Sequence, residues 1–226
     1  MWVRRKIRCT ISEIDDEGEA DLESHDLHYI PLTDIDIPHA YYVFMEVITA
    51  NGLLLLYCSF YNNYSDDQVT PLYICSLMTR EYIMIGFPAE VRPLEAPSFG
   101  LGVSKISEQY KVVCVSEVIG PRNCYHAYTL GTGTWKRLEA GPVSGFRFYN
   151  GELILYNGKL HWKLYDSTQT FCLTICGFDV EMECFSIFSL PPEGDGDPIG
   201  DLAVLSDCLC YTYMWGGELV IWTMKY

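Results

Sequence analysis

The chain has 226 residues, 49% of them hydrophobic and 14% aromatic, so it can bury a substantial core and is not a disordered segment. Its formal net charge of −15 argues against nucleic acid or an anionic membrane surface as a partner, because both require basic residues. No stretch approaches the roughly 20 apolar residues that a membrane-spanning helix needs.

The first 26 residues differ in composition from the rest. A basic opening is followed by a run of carboxylates between Glu13 and Glu23 with few apolar residues among them. Such a charge block is typical of a solvated segment. We expect residues 1–26 to form a flexible acidic segment and residues 27–226 to form the domain. An acidic docking segment, or an edge strand within Lys6–Ile11, is the alternative.

From residue 27 onward, pairs of alternating apolar segments recur four times, about 50 residues apart. Short turns separate segments at Asn51-Gly52, Gly131–Gly133, Asn157-Gly158 and Gly216-Gly217. This pattern predicts an all-β fold, a β-propeller-like array of four-stranded antiparallel blades. Because the fourth unit is only partly supplied, we expect an incomplete array, truncated at its C-terminus. We further expect an open edge strand at Tyr41–Thr49 or Leu219–Tyr226 and a tendency of the chain to associate through it.

Three polar or proline-rich stretches interrupt the strands and are predicted to be surface loops. They are Tyr61–Thr70, Pro88–Pro97 and Pro191–Pro198. Because binding residues are often found on loops held by a rigid scaffold, specificity is expected to lie in these three.

Cysteine is common, with ten residues, but most of them lie in apolar strand segments, where cysteine behaves as a small hydrophobic residue. There is no Cys-x-x-Cys pair and no apolar run after the basic N-terminus that would resemble a signal peptide. We therefore expect ten free thiols and a reducing compartment, the cytoplasm or the nucleus.

No catalytic motif stands out, so we expect no catalytic residue, metal or cofactor. His126 and His161 lie in strands beside aromatic residues and are interpreted as half-buried structural histidines. Gly100-x-Gly102 lacks the third glycine and the helix of a dinucleotide site and is interpreted as a turn. Asp179 and Glu183 have the spacing of a glycosidase-like pair but are interpreted as residues that flank a hairpin turn.

The aromatic residues divide into core residues and candidate partner anchors. Trp135, Trp162 and Trp222 alternate within strands and are expected in the core. The candidate partner-binding residues lie at or beside turns, where an exposed aromatic side chain can anchor a partner; they are Tyr61, Tyr64, Tyr213 and Trp215.

From about residue 47 to the end, seven segments resemble motifs of the plant F-box associated domain, in the same order. They are Asn51–Leu54, Leu77–Glu81, Phe99–Gly102 with Tyr110–Val113, Tyr128–Leu130 with Gly133–Lys136, Asn157–Trp162, Gly177–Asp179 with Glu183–Phe185 and Leu190-Pro191, and Ile221–Tyr226. Asn157–Trp162 matches its motif closely, whereas Leu77-Met78 stands where Asn-Pro is usual.

The resemblance implies a β-propeller-like substrate-recognition domain of an SCF-type ubiquitin ligase, which binds a protein substrate and has no catalytic activity of its own. Residues 1–49 contain nothing like the helical F-box that binds a Skp-type adaptor. Adaptor binding is therefore expected only if an F-box is supplied outside this chain. A carbohydrate-binding or glycosidase-like propeller is the alternative function, and a degenerate product whose open sheet pairs with a partner chain is a third. The sequence does not name the substrate.

Overall fold

The computed structural model describes residues 10–14, 27–31, 44–59, 72–76, 78–91, 97–117, 123–139, 141, 146–166, 172–190 and 200–224. All regular structure in these ranges is β-strand. The strands are β1 Thr10–Ile14, β2 Leu27–Pro31, β3 Phe44–Ala50, β4 Leu53–Ser59, β5 Leu72–Ser76, β6 Tyr82–Ile85, β7 Ser98–Val103, β8 Tyr110–Glu117, β9 Asn123–Thr129, β10 Trp135–Leu138, β11 Phe146–Tyr156, β12 Lys159–Asp166, β13 Cys172–Asp179, β14 Cys184–Ser189, β15 Gly200–Leu205, β16 Cys208–Trp215 and β17 Glu218–Thr223.

The strands form one two-stranded and four larger antiparallel sheets, each built in chain order. β1 pairs with β2; sheet 1 is β3-β4-β5-β6, sheet 2 is β7-β8-β9-β10, sheet 3 is β11-β12-β13-β14 and sheet 4 is β15-β16-β17. The predicted all-β array of four-stranded antiparallel sheets is confirmed; within the described ranges the last sheet has three strands. β1 lies inside segment 1–26, where the sequence predicted a flexible charge block, and pairs in antiparallel register with Leu27–Pro31.

Two-residue turns fix the strand register where the sequence predicted hairpins. Asn51 and Gly52 join β3 to β4 with φ angles of 42° and 81°. Asn157 and Gly158 join β11 to β12 with φ angles of 51° and 73°. Positive φ at both central positions matches the right-handed twist of the paired strands, and Asn and Gly adopt it at low cost.

The hydrophobic core lies between successive sheets. One cluster joins sheets 1 and 2 around Leu55 and Leu101, and a second joins sheets 2 and 3 around Val113 and Phe178. A third joins sheets 3 and 4 around Ile175 and Tyr211. Because sheets 2 and 3 each bury both faces, one against the preceding and one against the following sheet, the sheets stack in chain order like propeller blades.

The interpretation of Gly100-x-Gly102 as a turn is wrong, because both glycines lie within β7. A Cβ atom at Gly100 would stand 2.9 Å from Cζ2 of Trp162, and one at Gly102 would stand 2.6 Å from Cγ2 of Val180. Trp162 lies in β12 and Val180 directly follows β13, so the two glycines allow the first strand of sheet 2 to approach sheet 3 closely.

The three tryptophans expected in the core differ in burial. Trp162 is buried between sheets 2 and 3, and Trp135 is half-buried against the cluster of sheets 1 and 2. Trp222 is 43% exposed, so its predicted core position is wrong. It lies on β17, the last described strand of sheet 4, which among the described residues pairs with β16 alone.

Most cysteines of the described strands lie in the core as small apolar residues. Cys75, Cys114, Cys176 and Cys210 are buried, and Cys184 is exposed. The thiols of Cys124, Cys176, Cys184, Cys208 and Cys210 are free. The same prediction for Cys9, Cys58 and Cys172 concerns side chains outside the described set.

Candidate functional site

The up-and-down order of the strands sorts the connections into two rims. The short-turn rim carries the turns that join the first to the second and the third to the fourth strand of each sheet: 51–52, 77–81, 104–109, 130–134, 157–158, 180–183 and 206–207. The long-connection rim carries the remaining connections: 60–71, 86–97, 118–122, 139–145, 167–171, 190–199 and the diglycine turn 216–217.

Three hydrogen bonds between neighbouring sheets show that all four sheets run in the same sense. The Tyr110 hydroxyl donates to the carbonyl of Asn51 at 3.3 Å, which joins the first turns of sheets 1 and 2. Lys105 Nζ donates to Asn157 Oδ1 at 2.9 Å between sheets 2 and 3. The Tyr156 hydroxyl donates to the carbonyl of Asp207 between sheets 3 and 4. The strand ends that flank the three predicted loops therefore all lie on the long-connection rim; Tyr61–Thr70, Pro191–Pro198 and residues 92–96 of Pro88–Pro97 lie outside the described residues.

Carboxylates of the 180–183 turn join sheet 3 to sheet 2 on the short-turn rim. Glu181 accepts hydrogen bonds from the hydroxyls of Ser104 and Ser107, the latter at 2.6 Å. These hydroxyls hold the pKa of Glu181 below its usual value. Two hydroxyl donors from a single turn fix the position of the carboxylate, so Glu181 orders the contact between the 104–109 and 180–183 turns.

Glu183 forms the second link between the same two sheets. Its carboxylate lies 2.8 Å from Nζ of the buried Lys111 and 2.6 Å from Nζ of the exposed Lys136. Burial raises the pKa of Glu183, but the two ammonium groups outweigh burial and lower it. Since Lys111 would otherwise be a buried charge without a counter-ion, this pair is part of the fold.

The hairpin interpretation of Asp179 and Glu183 is confirmed. Asp179 ends β13, and its Oδ1 accepts the backbone N–H groups of Glu181 at 3.1 Å and Met182 at 2.9 Å. Glu183 has a φ of 53° and is held by two lysines. Both carboxylates are occupied by the turn and by ion pairs, which does not favour a glycosidase pair.

Two of the four candidate partner-binding residues lie in the described part of the chain. Trp215 is the last residue of β16, next to the diglycine turn of the long-connection rim, and is 47% exposed. Tyr213 is half-buried in the core of sheets 3 and 4, and its hydroxyl accepts a hydrogen bond from Trp222 Nε1 at 3.3 Å. Tyr61 and Tyr64 lie outside the described residues, in the segment between β4 and β5.

Sequence reasoning missed a set of exposed apolar side chains on the short-turn rim. Ile106 is 81% exposed and Met182 is 71% exposed, at the tips of the two turns that Glu181 connects. Met78 is exposed in the 77–81 turn. An apolar residue within a polar turn, as in Ser-Lys-Ile-Ser-Glu at 104–108, is the signal that could have identified them.

His126 and His161 lie in strands, as predicted, but both are buried and not half-buried. Burial lowers the pKa of His126, while Glu90, whose Oε2 lies 3.8 Å from Nε2, raises it by a smaller amount. Burial lowers the pKa of His161 to about 4, so this ring is neutral at neutral pH. In the described ranges, no three His, Cys, Asp or Glu side chains are grouped so that they could hold a metal ion.

A search of the described residues for a helix long and apolar enough to cross a membrane found none.

Comparisons with known proteins gave a family match and similar solved structures. No curated protein matches the chain significantly. Among solved structures, TolB from Acinetobacter baumannii matches with a TM-score of 0.49 and 13% identity, over 95% of this chain and 48% of the TolB chain. This chain therefore spans about half of the TolB length. The model of the F-box associated beta propeller domain matches residues 15–204, a range that starts before the predicted boundary at residue 27. The chain thus belongs to the F-box associated β-propeller domain family, whose members are in general protein-interaction modules of F-box proteins.

Proposed function

We propose that this chain is a non-catalytic protein-binding module that selects protein substrates for an SCF-type E3 ubiquitin ligase, and that it binds them on the long-connection rim. Family membership over residues 15–204 carries this proposal. Delivery of a bound substrate to the ligase requires an F-box outside this chain to bind the Skp-type adaptor. The proposed compartment is the cytoplasm, the nucleus or both, and the partners include neither nucleic acid nor a membrane.

The difference between the two rims supports binding on the long-connection rim. On the short-turn rim, Glu181 and Glu183 connect sheets 2 and 3, which fixes the turns to the scaffold. On the opposite rim, 60–71 joins two strands of sheet 1, whereas 86–97 and 190–199 join successive sheets. The sequences of such connections can vary without disturbing the pairing of the strands. Trp215 adds a half-exposed aromatic side chain to that rim, of the kind that dominates binding energy at protein interfaces.

The carbohydrate-binding alternative has the half-exposed Trp215 in its favour, because sugar rings stack on aromatic faces. Its glycosidase version has less support, because Asp179 and Glu183 serve the turn and the lysines. The two functions differ in ligand class, so a glycan array and a protein-capture experiment separate them.

The test fuses the chain behind the F-box of an unrelated F-box protein and expresses the fusion in plant cells treated with a proteasome inhibitor. We expect ubiquitinated proteins to be enriched relative to the F-box alone. Trp215→Ala should reduce the enrichment of a given substrate at least fivefold. A double variant of the opposite rim, Ile106→Ala with Met182→Ala, is the matched control and should retain it.

Three results would contradict the proposal. If ubiquitinated proteins were enriched no more by the fusion than by the F-box alone, the chain would not recognise substrates. Loss of binding in the Ile106/Met182 control but not in Trp215→Ala would assign binding to the other rim. Specific binding of the chain to a glycan, without ubiquitinated proteins, would favour the carbohydrate alternative.

A further inference from the structure

In the ranges that the structure describes, sheet 4 has three strands, whereas each of the other three large sheets has four. Sheets 1, 2 and 3 have four strands, and their third strands β5, β9 and β13 pair on both sides. The third strand of sheet 4 is β17, and within the described ranges it pairs with β16 alone. β17 is therefore third in its sheet, like the inner strands β5, β9 and β13, but one of its two hydrogen-bonding edges has no partner strand among the described residues.

The register shows which backbone groups of β17 are open. The N–H of Met224 donates to the carbonyl of Leu209 at 2.9 Å, so Met224 points toward β16. Because the direction alternates along a strand, Val220 and Trp222 also point toward β16, opposite Tyr213 and Tyr211. The N–H and C=O groups of Leu219, Ile221 and Thr223 point away from it, with the spacing that a further strand would need.

The side chains of β17 are apolar on both faces of the sheet. Leu219 is 61% exposed and Ile221 is 49% exposed on one face, and Trp222 is exposed on the other. Glu218 is the one charged residue of the strand. A long exposed apolar edge of this kind is a template for the addition of another strand.

The charge of the chain indicates which partner fits this edge. The chain has 30 Asp and Glu against 15 Lys and Arg, so two copies repel each other, whereas a basic segment is attracted. We propose that β17 binds an extended segment of a partner protein, with apolar residues alternating with Lys or Arg, as the fourth strand of sheet 4. The apolar residues would cover one face of β17, and the partner's main chain would bond to Leu219, Ile221 and Thr223.

This interaction goes beyond the proposed function, because it uses the edge of sheet 4 and requires neither the long-connection rim nor a ligase. A partner could be captured on this edge whether or not the rim selects substrates. Its test therefore uses the purified chain and a defined peptide.

The probe is an eight-residue peptide of alternating valine and lysine with blocked ends. We expect saturating peptide to slow amide hydrogen exchange at Leu219, Ile221 and Thr223 at least tenfold, measured by NMR. The amides of Val220 and Trp222 already bond to β16 and should change little. A peptide with glutamate in place of lysine should not bind.

Two perturbations separate strand addition from attraction between charges. The first is N-methylation of all valines in one peptide and all lysines in another, which removes the N–H groups from one edge of the added strand or from the other. One of these peptides should bind like the parent and the other at least tenfold more weakly. The second is Ile221→Pro, which removes one outward N–H and should weaken binding at least tenfold, whereas Ile221→Val should not.

The proposal is overturned if the lysine peptide slows exchange nowhere along β17. It is equally overturned if both N-methylated peptides bind like the parent, because binding would then not involve strand pairing. Protection of Leu219 and Ile221 that rises with protein concentration without peptide would identify a second copy as the occupant and would also overturn it. Because the N-methylated peptides leave the protein unchanged, the test remains decisive even if Ile221→Pro does not fold.

Discussion

Gly102→Ala tests whether the two glycines of β7 set the distance between sheets 2 and 3. The added Cβ would stand 2.6 Å from Cγ2 of Val180 and 3.2 Å from Cγ of Leu160, both buried. Carbon atoms at van der Waals contact are roughly 3.5–4.0 Å apart, so the two sheets must separate or their side chains must leave preferred rotamers. Overpacking of this kind costs about 1–3 kcal/mol. For a chain of this size, that corresponds to a fall in Tm of roughly 2–12 °C.

The matched control is Gly86→Ala, because an added Cβ at Gly86 would have no atom within 4 Å and this glycine is not among those with positive φ. We expect this variant to unfold at the wild-type temperature or slightly above it, since alanine restricts the unfolded chain. Thermal unfolding followed by circular dichroism measures both variants. If Gly102→Ala unfolds like Gly86→Ala, the close approach of β7 to sheet 3 does not limit stability and the argument from the Cβ distances is refuted.

Three further predictions concern buried titratable groups. His161 has a pKa of about 4, against 6.5 in the unfolded chain, so the unfolded state takes up its proton first and the free energy of unfolding falls as pH drops from about 6.5 toward 4. Between pH 7.5 and pH 5, the free energy of unfolding measured with urea should fall by about 2 kcal/mol more in the wild type than in His161→Gln. An equal fall in both proteins would refute the lowered pKa of His161. Glu183→Gln should lower the free energy of unfolding by about 1–3 kcal/mol because the buried Lys111 loses its counter-ion. The control Glu81→Gln changes an exposed residue and should leave the free energy of unfolding unchanged. Equal urea midpoints for the two variants would contradict this prediction. Burial raises the pKa of Cys176 to about 12, so a thiol reagent at pH 8 should modify the exposed Cys184 in the native chain and Cys176 only after unfolding, as mass spectrometry can show.

Local patterns in the sequence were sufficient for most of the strands, for the Asn-Gly turns and for the family. Alternation of apolar residues marks β-strands because successive side chains point to opposite faces, and Asn-Gly at 51–52 and 157–158 marks hairpins because positive φ is a local property. The hairpin interpretation of Asp179 and Glu183 also held, since a turn is made by residues close in sequence. The ion-pair partner of Glu183 could not be predicted from the sequence, because Lys111 is 72 residues away along the chain.

The sequence by itself determined that the chain is an all-β array of repeated antiparallel sheets. The tertiary structure alone decided which faces of those sheets meet. It placed Gly100 and Gly102 inside a strand against Trp162 and Val180, where the absence of a side chain matters only because another sheet lies within van der Waals distance. It also left Trp222 exposed, because burial depends on whether a neighbouring element covers a face and not on the residue itself.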